Sequence, residues 1–223
     1  MSTVATPFSS ASTYPVRVDV ERAVDHRNRL TTAFRLLLAF PHLLLVGGPI
    51  AGAASWTWGA PGNRYEGGIV GGALGAVAAV VAIIGWFAIV FTGQYPKGLR
   101  DLVAYYLRWR VRAIAYAALL RDEYPPFGDG SYPAALEISP AAQPRDRLTV
   151  AFRLILVLPH VMIIWALGIV WALVTTIAWF SILLTGRYPE SLYDFSVGVL
   201  RWTTRVEAYL LLLHDDYPPF SLS

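Results

Sequence analysis

The sequence predicts a mainly α membrane protein. Four transmembrane helices form two hairpins related by a pseudo-two-fold axis, each with a short N-terminal β-strand and an amphipathic helix on the cytoplasmic interface. Three observations carry this expectation. The 223 residues are 56% hydrophobic and 15% charged, with mean hydropathy +0.49, too apolar for an ordinary water-soluble domain. The chain repeats itself: YPVRVDV from Tyr14 and RLTTAFRLLLAFPH from Arg29 return 118 residues later as YPAALEI and RLTVAFRLILVLPH. Then TGQYPKGL, LRW and DEYPPF return as TGRYPESL, LRW and DDYPPF, 93 residues later. The offsets differ by 25 residues, so the first copy carries extra length after His42, in a Gly- and Trp-rich stretch. Residues 1–13 read as a polar tail without signal-peptide features, 14–127 as the first copy, 128–131 as a linker and 132–220 as the second copy.

Each copy opens on a strand. Val16, Val18 and Val20 alternate with Arg17, Asp19 and Glu21, and Leu136 and Ile138 echo the pattern, as a half-buried strand requires. Related by the pseudo-axis, the two strands are placed to pair antiparallel. The apolar runs 30–50, 69–91, 148–164 and 168–184 then give four spans. The second pair is joined by a tight turn at 166–168, with one long tilted helix through Pro159 as the alternative. Gly67, Gly71 and Gly75, with Gly68 and Gly72, give G-x-x-x-G spacing suited to close helix packing. T-G-x-Y-P ends each hairpin, because Gly93 and Gly186 suit a left-handed cap and the following Pro cannot continue a helix. Segments 99–120 and 192–213 are helical but too charged to cross, which assigns them to the interface. YPPF is expected to stop those helices, and the acids before it to stay solvated.

Of the 18 Lys and Arg residues only Arg64 falls in a hairpin connection. Both termini and both interfacial helices are therefore expected on the cytoplasmic side, with both copies inserted the same way round.

Two constellations recur in both copies. Thr31, Arg35 and His42, and likewise Thr149, Arg153 and His160, share a helical face and form an intramembrane polar seam. Such a seam is either a metal, proton or ligand site between the copies, or a pair of snorkelling Arg residues with His capping carbonyls freed by the adjacent Pro. Two His without carboxylate or Cys make an incomplete metal site. On the interfacial helices Asp101, Arg108 and Arg112 share a face, as do Asp194, Arg201 and Arg205, beside Trp109 and Trp202. They form either a surface for anionic headgroups or an acidic partner segment, or an internal network that docks each helix.

These motifs, from YPVRVDV through FRLLLAFPH, TG-x-YP and LRW to D-x-YPPF, resemble the domain of unknown function family numbered 4389, in a tandem form covering nearly everything from Tyr14 onward. The resemblance implies a bacterial integral membrane protein, hence the inner membrane, and implies no activity, cofactor or catalytic residue. The 25-residue insertion departs from the compact unit. With no cysteine there is no disulfide, thiolate metal site or Cys nucleophile, and no nucleophile elbow, H-E-x-x-H or phosphate loop occurs. The expected function is a non-enzymatic scaffold or accessory protein without metal or cofactor. Its expected partners are membrane lipids, or alternatively a membrane protein or second copy, with no nucleic acid. A small transporter or channel component using the seam is the alternative, and a lipid-modifying enzyme the third reading.

Overall fold

The computed structural model describes residues 14–48, 71–141 and 144–223. Its elements run β1 (Val16–Val20), α1 (Arg29–Ala33), α2 (Arg35–Val46), α3 (Ala73–Thr92), α4 (Lys97–Ala117), β2 (Ala134–Ile138), α5 (Arg147–Ala151), α6 (Arg153–Thr185) and α7 (Glu190–Leu210). The strands pair antiparallel, with Val18 opposite Leu136 at the centre, the pairing expected of strands related by a pseudo-two-fold axis. Their buried face rests on α4 and α7, which cross one another and in turn carry α2, α3 and α6 on their far side.

Asn28 and Asp146 start α1 and α5, each side chain accepting from two backbone N–H groups of the first turn. At the other end α3 and α6 stop at Gly93 and Gly186, both left-handed with φ 74° and 75°, where a side chain would be strained. That expectation holds.

The predicted turn at 166–168 does not exist, because α6 runs unbroken for 33 residues through Pro159 and Gly168. Its buried positions, Arg153, Val157, His160, Ile164, Gly168, Trp171, Val174, Ala178 and Ile182, keep a 3- or 4-residue spacing throughout. A turn would have broken that stripe. In the first copy the corresponding stripe is divided, with Arg35, Ala39, His42 and Val46 on α2 and Gly75, Ala78, Val81, Gly85 and Ile89 on α3. Helices α2 and α3, of 12 and 20 residues, thus correspond to two halves of the helix that α6 forms in one piece, interrupted by the insertion. The cut ends meet: a Cβ on Gly47 would lie 2.5 Å from Gly71, and one on Gly72 2.5 Å from Leu45. The close packing expected of the glycines holds for Gly71 and Gly72, and Gly75 is buried on α3; Gly67 and Gly68 lie outside the described residues, as do most of the insertion and the N-terminal tail.

Two helices, α3 and α6, are long and apolar enough to cross a membrane. Most of their surface is exposed and apolar, including Phe87, Phe91, Trp165, Leu173 and Leu184.

Helices α4 and α7 differ from the expected surface helices, since much of each is buried. They form a middle layer between sheet and long helices, with Val103, Leu107, Val111 and Ala115, and Val199, Leu200 and Ala208, all buried. Their buried charges meet internal partners, as Arg110 meets Glu207, and small residues admit close neighbours: a Cβ on Gly198 would lie 2.7 Å from Leu222. YPPF does not stop them either. They end at Ala117 and Leu210, where Leu119 and Leu212 take positive φ of 63° and 65° and the following N–H groups fold back onto Ala115 and Ala208. These buried leucines make the left-handed turn without glycine.

Candidate functional site: paired arginine clusters and an apolar groove

Each copy builds the same ion cluster where its long helix begins. Asp122 accepts from Arg27 at 2.9 Å and Arg35 at 2.5 Å, and Asp215 from Arg145 at 2.5 Å and Arg153 at 2.7 Å. All four Arg side chains are essentially fully buried. Backbone carbonyls complete the binding: Arg27 donates to Leu119 and Leu120, Arg35 to Arg121, Arg145 to Leu212 and Arg153 to Tyr209. These carbonyls lie in the turns and helix ends that the positive-φ leucines create. Arg35 and Arg153 also stack over Tyr116 and Tyr209 at 4.1 and 4.2 Å. The acids before YPPF are therefore charge partners of buried Arg, contrary to the expectation that they stay solvated. Two guanidinium groups share one carboxylate, so each cluster holds an excess positive charge. Burial would raise the Asp215 carboxyl, but hydrogen bonds and charge from Arg145 and Arg153 outweigh it and hold the group below the usual carboxylate range. Beside it, burial and then the two Arg charges push His214 down to about 3, so it stays neutral.

The repeated YPPF phrase folds over the histidines. The His42 ring stacks on Phe127 at 4.3 Å and touches Tyr124, while Nδ1 accepts from Trp109 Nε1 at 3.0 Å. His160 repeats this with Phe220 at 4.0 Å, Tyr217 and Trp202 at 3.2 Å. Each Nε2 is buried without a hydrogen-bond partner among the described residues. Both histidines face inward as the seven-residue spacing predicts, yet each is enclosed by its own copy. Thr31 and Thr149 do not join them; their hydroxyls bond back to Asn28 and Asp146. Among the described residues no group of three or more His, Cys, Asp or Glu could hold a metal. Trp109→Phe or Trp202→Phe, which leaves a buried Nδ1 unpartnered, is expected to cost about 1–3 kcal/mol in detergent unfolding.

The residues expected on a free basic face are engaged elsewhere. Arg112 donates to the Gly128 carbonyl at 2.7 Å, and Arg108 lies 3.7 Å from Asp129. Arg201 donates to Val18 in β1, and Arg205 lies 5.6 Å over the Tyr14 ring. Asp194 pairs with Arg22 at 2.7 Å, while Asp101 is exposed and has no ion pair among the described residues. Most of these side chains dock strands and loops onto the middle layer. Arg110, which Thr203 replaces in the second copy, joins the copies. It grips Glu207 at 2.8–3.0 Å and donates to the Val46 carbonyl at 2.5 Å. That carbonyl is freed where α2 is cut, and the uncut α6 has no counterpart to it. Thr203 bonds only within its own helix.

A family's sequence pattern matches the chain twice, over residues 67–128 and 147–221, each match closing on a YPPF motif. The chain belongs to that family, Domain of unknown function (DUF4389). The first DUF4389 match begins just before α3 and the second at α5, so the first omits the half of the long helix that lies before the insertion. No curated protein and no solved structure matches the chain.

Between the long helices of the two DUF4389 copies lies a cavity of about 490 Å³. Arg35, Leu36 and Leu43 of α2, Ala117 to Leu119 below, and Trp171, Thr176, Trp179 and Phe180 of α6 form its walls. They continue into Leu36 and Phe180, exposed by 75% and 55%. The groove opens among apolar side chains and has the Arg35 cluster behind one end. At that end Arg29 packs over Gly186, next to Arg187, which pairs with Asp25 at 2.9 Å but remains 73% exposed. Sequence reasoning missed Arg27, Arg145, Asp122, Asp215 and Glu207. The first four recur at the copy offsets, so the repeat itself held the signal.

Proposed function

We propose that the protein is a non-enzymatic scaffold of the bacterial cytoplasmic membrane that binds anionic phospholipid, with both termini cytoplasmic. An acyl chain lies in the groove between α2 and α6, and the headgroup meets Arg29 and Arg187. The groove is the observation that carries this reading: its volume falls in the range of ligand sites, roughly 300–1,000 Å³, and its lining is apolar except near Arg35 and two threonines. The unbalanced charge of the Arg27–Arg35–Asp122 cluster favours an anion at that end. The lipid expectation thus rests on different arginines from those on α4 and α7. Transport drew its support from the Thr/Arg/His seam, whose side chains are occupied within each copy.

Native mass spectrometry of protein extracted from its own membrane tests the proposal. Ala172→Trp with Thr176→Trp, which fills the groove from exposed positions, is expected to strip tightly held phospholipid while the protein still inserts. Arg29→Gln with Arg187→Gln is expected to weaken anionic lipid by about 30-fold, at about 1 kcal/mol per basic residue, and to leave zwitterionic lipid unchanged. Unaltered lipid occupancy in both variants sinks the proposal.

A further inference from the structure

We infer that each long helix is seated in one leaflet of the bilayer, beginning and ending on the same side instead of crossing. This rests on the membrane part of the proposed function and not on its lipid groove. Where one long helix begins, the other ends. Arg27 N–H donates to the Gly186 carbonyl and Arg145 N–H to the Gly93 carbonyl, both at 2.9 Å. Trp179 donates to Thr32 and Trp86 to Val150, both at 2.9 Å. These are the same contacts with the copies exchanged, so the pseudo-two-fold axis swaps the two places.

That axis passes between Val18 and Leu136, the central strand pair, and through the α4–α7 crossing at Arg110 and Glu207. Points swapped by a two-fold axis lie at equal height along it. The start of α6 therefore stands at the height of its own end, and the start of α2 at the height of the end of α3. The direction of the axis follows from the surfaces it joins. At one end is the outer face of the sheet, with Arg17, Asp19 and Glu137; at the other are the exposed apolar sides of the long helices. An axis in the membrane plane would hold the sheet's charges at mid-bilayer depth, at about 2.5–3.5 kcal/mol for each on insertion scales. The axis therefore runs along the membrane normal, and α6, unbroken, starts and finishes at one depth.

Length agrees. The 33 residues of α6 extend about 50 Å at 1.5 Å per residue, against a hydrocarbon core of about 30 Å. Exposed Arg29, Lys97, Arg147 and Arg187 mark the helix ends, next to the exposed Leu30, Phe91, Leu148 and Leu184. This is the order of charge and apolar surface met on entering one leaflet. The occupant of the apolar face is that leaflet.

The absence of cysteine makes the test direct. Arg147→Cys and Arg187→Cys bracket α6, and Ala166→Cys marks its exposed middle. An impermeant maleimide should label both bracketing positions from the same side and Ala166→Cys from neither. A nitroxide at position 166 should report a depth short of the bilayer midplane, which lies about 15 Å into the hydrocarbon. Arg29→Cys and Lys97→Cys repeat the measurement on the first copy, so a failure to fold in one variant leaves the other pair. Labelling of the two ends from opposite sides overturns the inference in favour of a crossing helix. Labelling of position 166 from the far side overturns it in favour of a hairpin. Same-side labelling supports this seating whether or not the groove holds lipid, and loss of groove lipid counts only against the lipid proposal; a chain that leaves the membrane fraction ends both.

Discussion

Asp215→Asn is expected to lower the unfolding free energy in detergent by about 3–5 kcal/mol, the usual cost of removing one partner from a buried ion pair. Arg145 and Arg153 are 0% and 1% exposed and share this single carboxylate, so its loss leaves two guanidinium charges buried with carbonyls alone. The carboxylate is itself 24% exposed, which places the effect toward the lower end. For a chain of this size about 3 kcal/mol moves the melting temperature by about 6–12 °C. Asp122→Asn should cost as much, because Asp122 also accepts from the Asn28 N–H where α1 begins. Asp216→Asn, at an exposed neighbour, should be silent. The Asp215 carboxyl is held below its ordinary range, so its contribution is complete above the unfolded value of about 3.9 and is lost as pH falls through the lower folded value. Wild type should therefore show an acid limb that Asp215→Asn flattens. An acid limb of equal depth in the two proteins counts against the shared-carboxylate account.

Glu207→Ile, which puts the first copy's residue into the second, is expected to destabilise by a similar 3–5 kcal/mol, because Arg110 is 3% exposed and keeps only the Val46 carbonyl. Arg110→Thr should also destabilise strongly, leaving the Glu207 carboxylate, 12% exposed, without its partner and Val46 without one of its donors. The double variant restores equivalence between the copies and removes both charges together. It should lose less than either single variant, apart from about 1–3 kcal/mol for the carbonyl. A double-mutant cycle by chemical unfolding in detergent measures the coupling; additive losses would show that the two side chains do not depend on each other.

Much of the architecture is legible one copy at a time. The alternation at Val16, Val18 and Val20 foretells a strand, the spacing of Arg35 and His42 an inward face, and Gly93 and Gly186 the helix ends. The broken spot in that reading is 166–168, where Gly168 suits a turn as well as a helix. The stripe from Val157 to Ile182 keeps its 3- or 4-residue spacing straight through that glycine, which favours the helix. YPPF misled for another reason: proline is a sufficient helix stop but not a necessary one. Here Leu119 and Leu212 stop the helices five residues before each motif's tyrosine.

The sequence by itself determined the duplication, the apolar composition of the long helices, the secondary-structure types and the inward polar stripe, because periodicity, capping and proline act through neighbouring backbone. The tertiary structure alone decided which charge meets which. Arg27 and Asp122 are 95 residues apart and Arg110 and Glu207 97 apart, and nothing local distinguishes a paired carboxylate from a solvated one. It also decided that α4 and α7 lie between sheet and long helices, since a helix with both polar and apolar surface can meet a bilayer or two protein layers. What separates those outcomes is whether its charges find buried partners, and here Arg110 finds Glu207 and Arg201 finds β1.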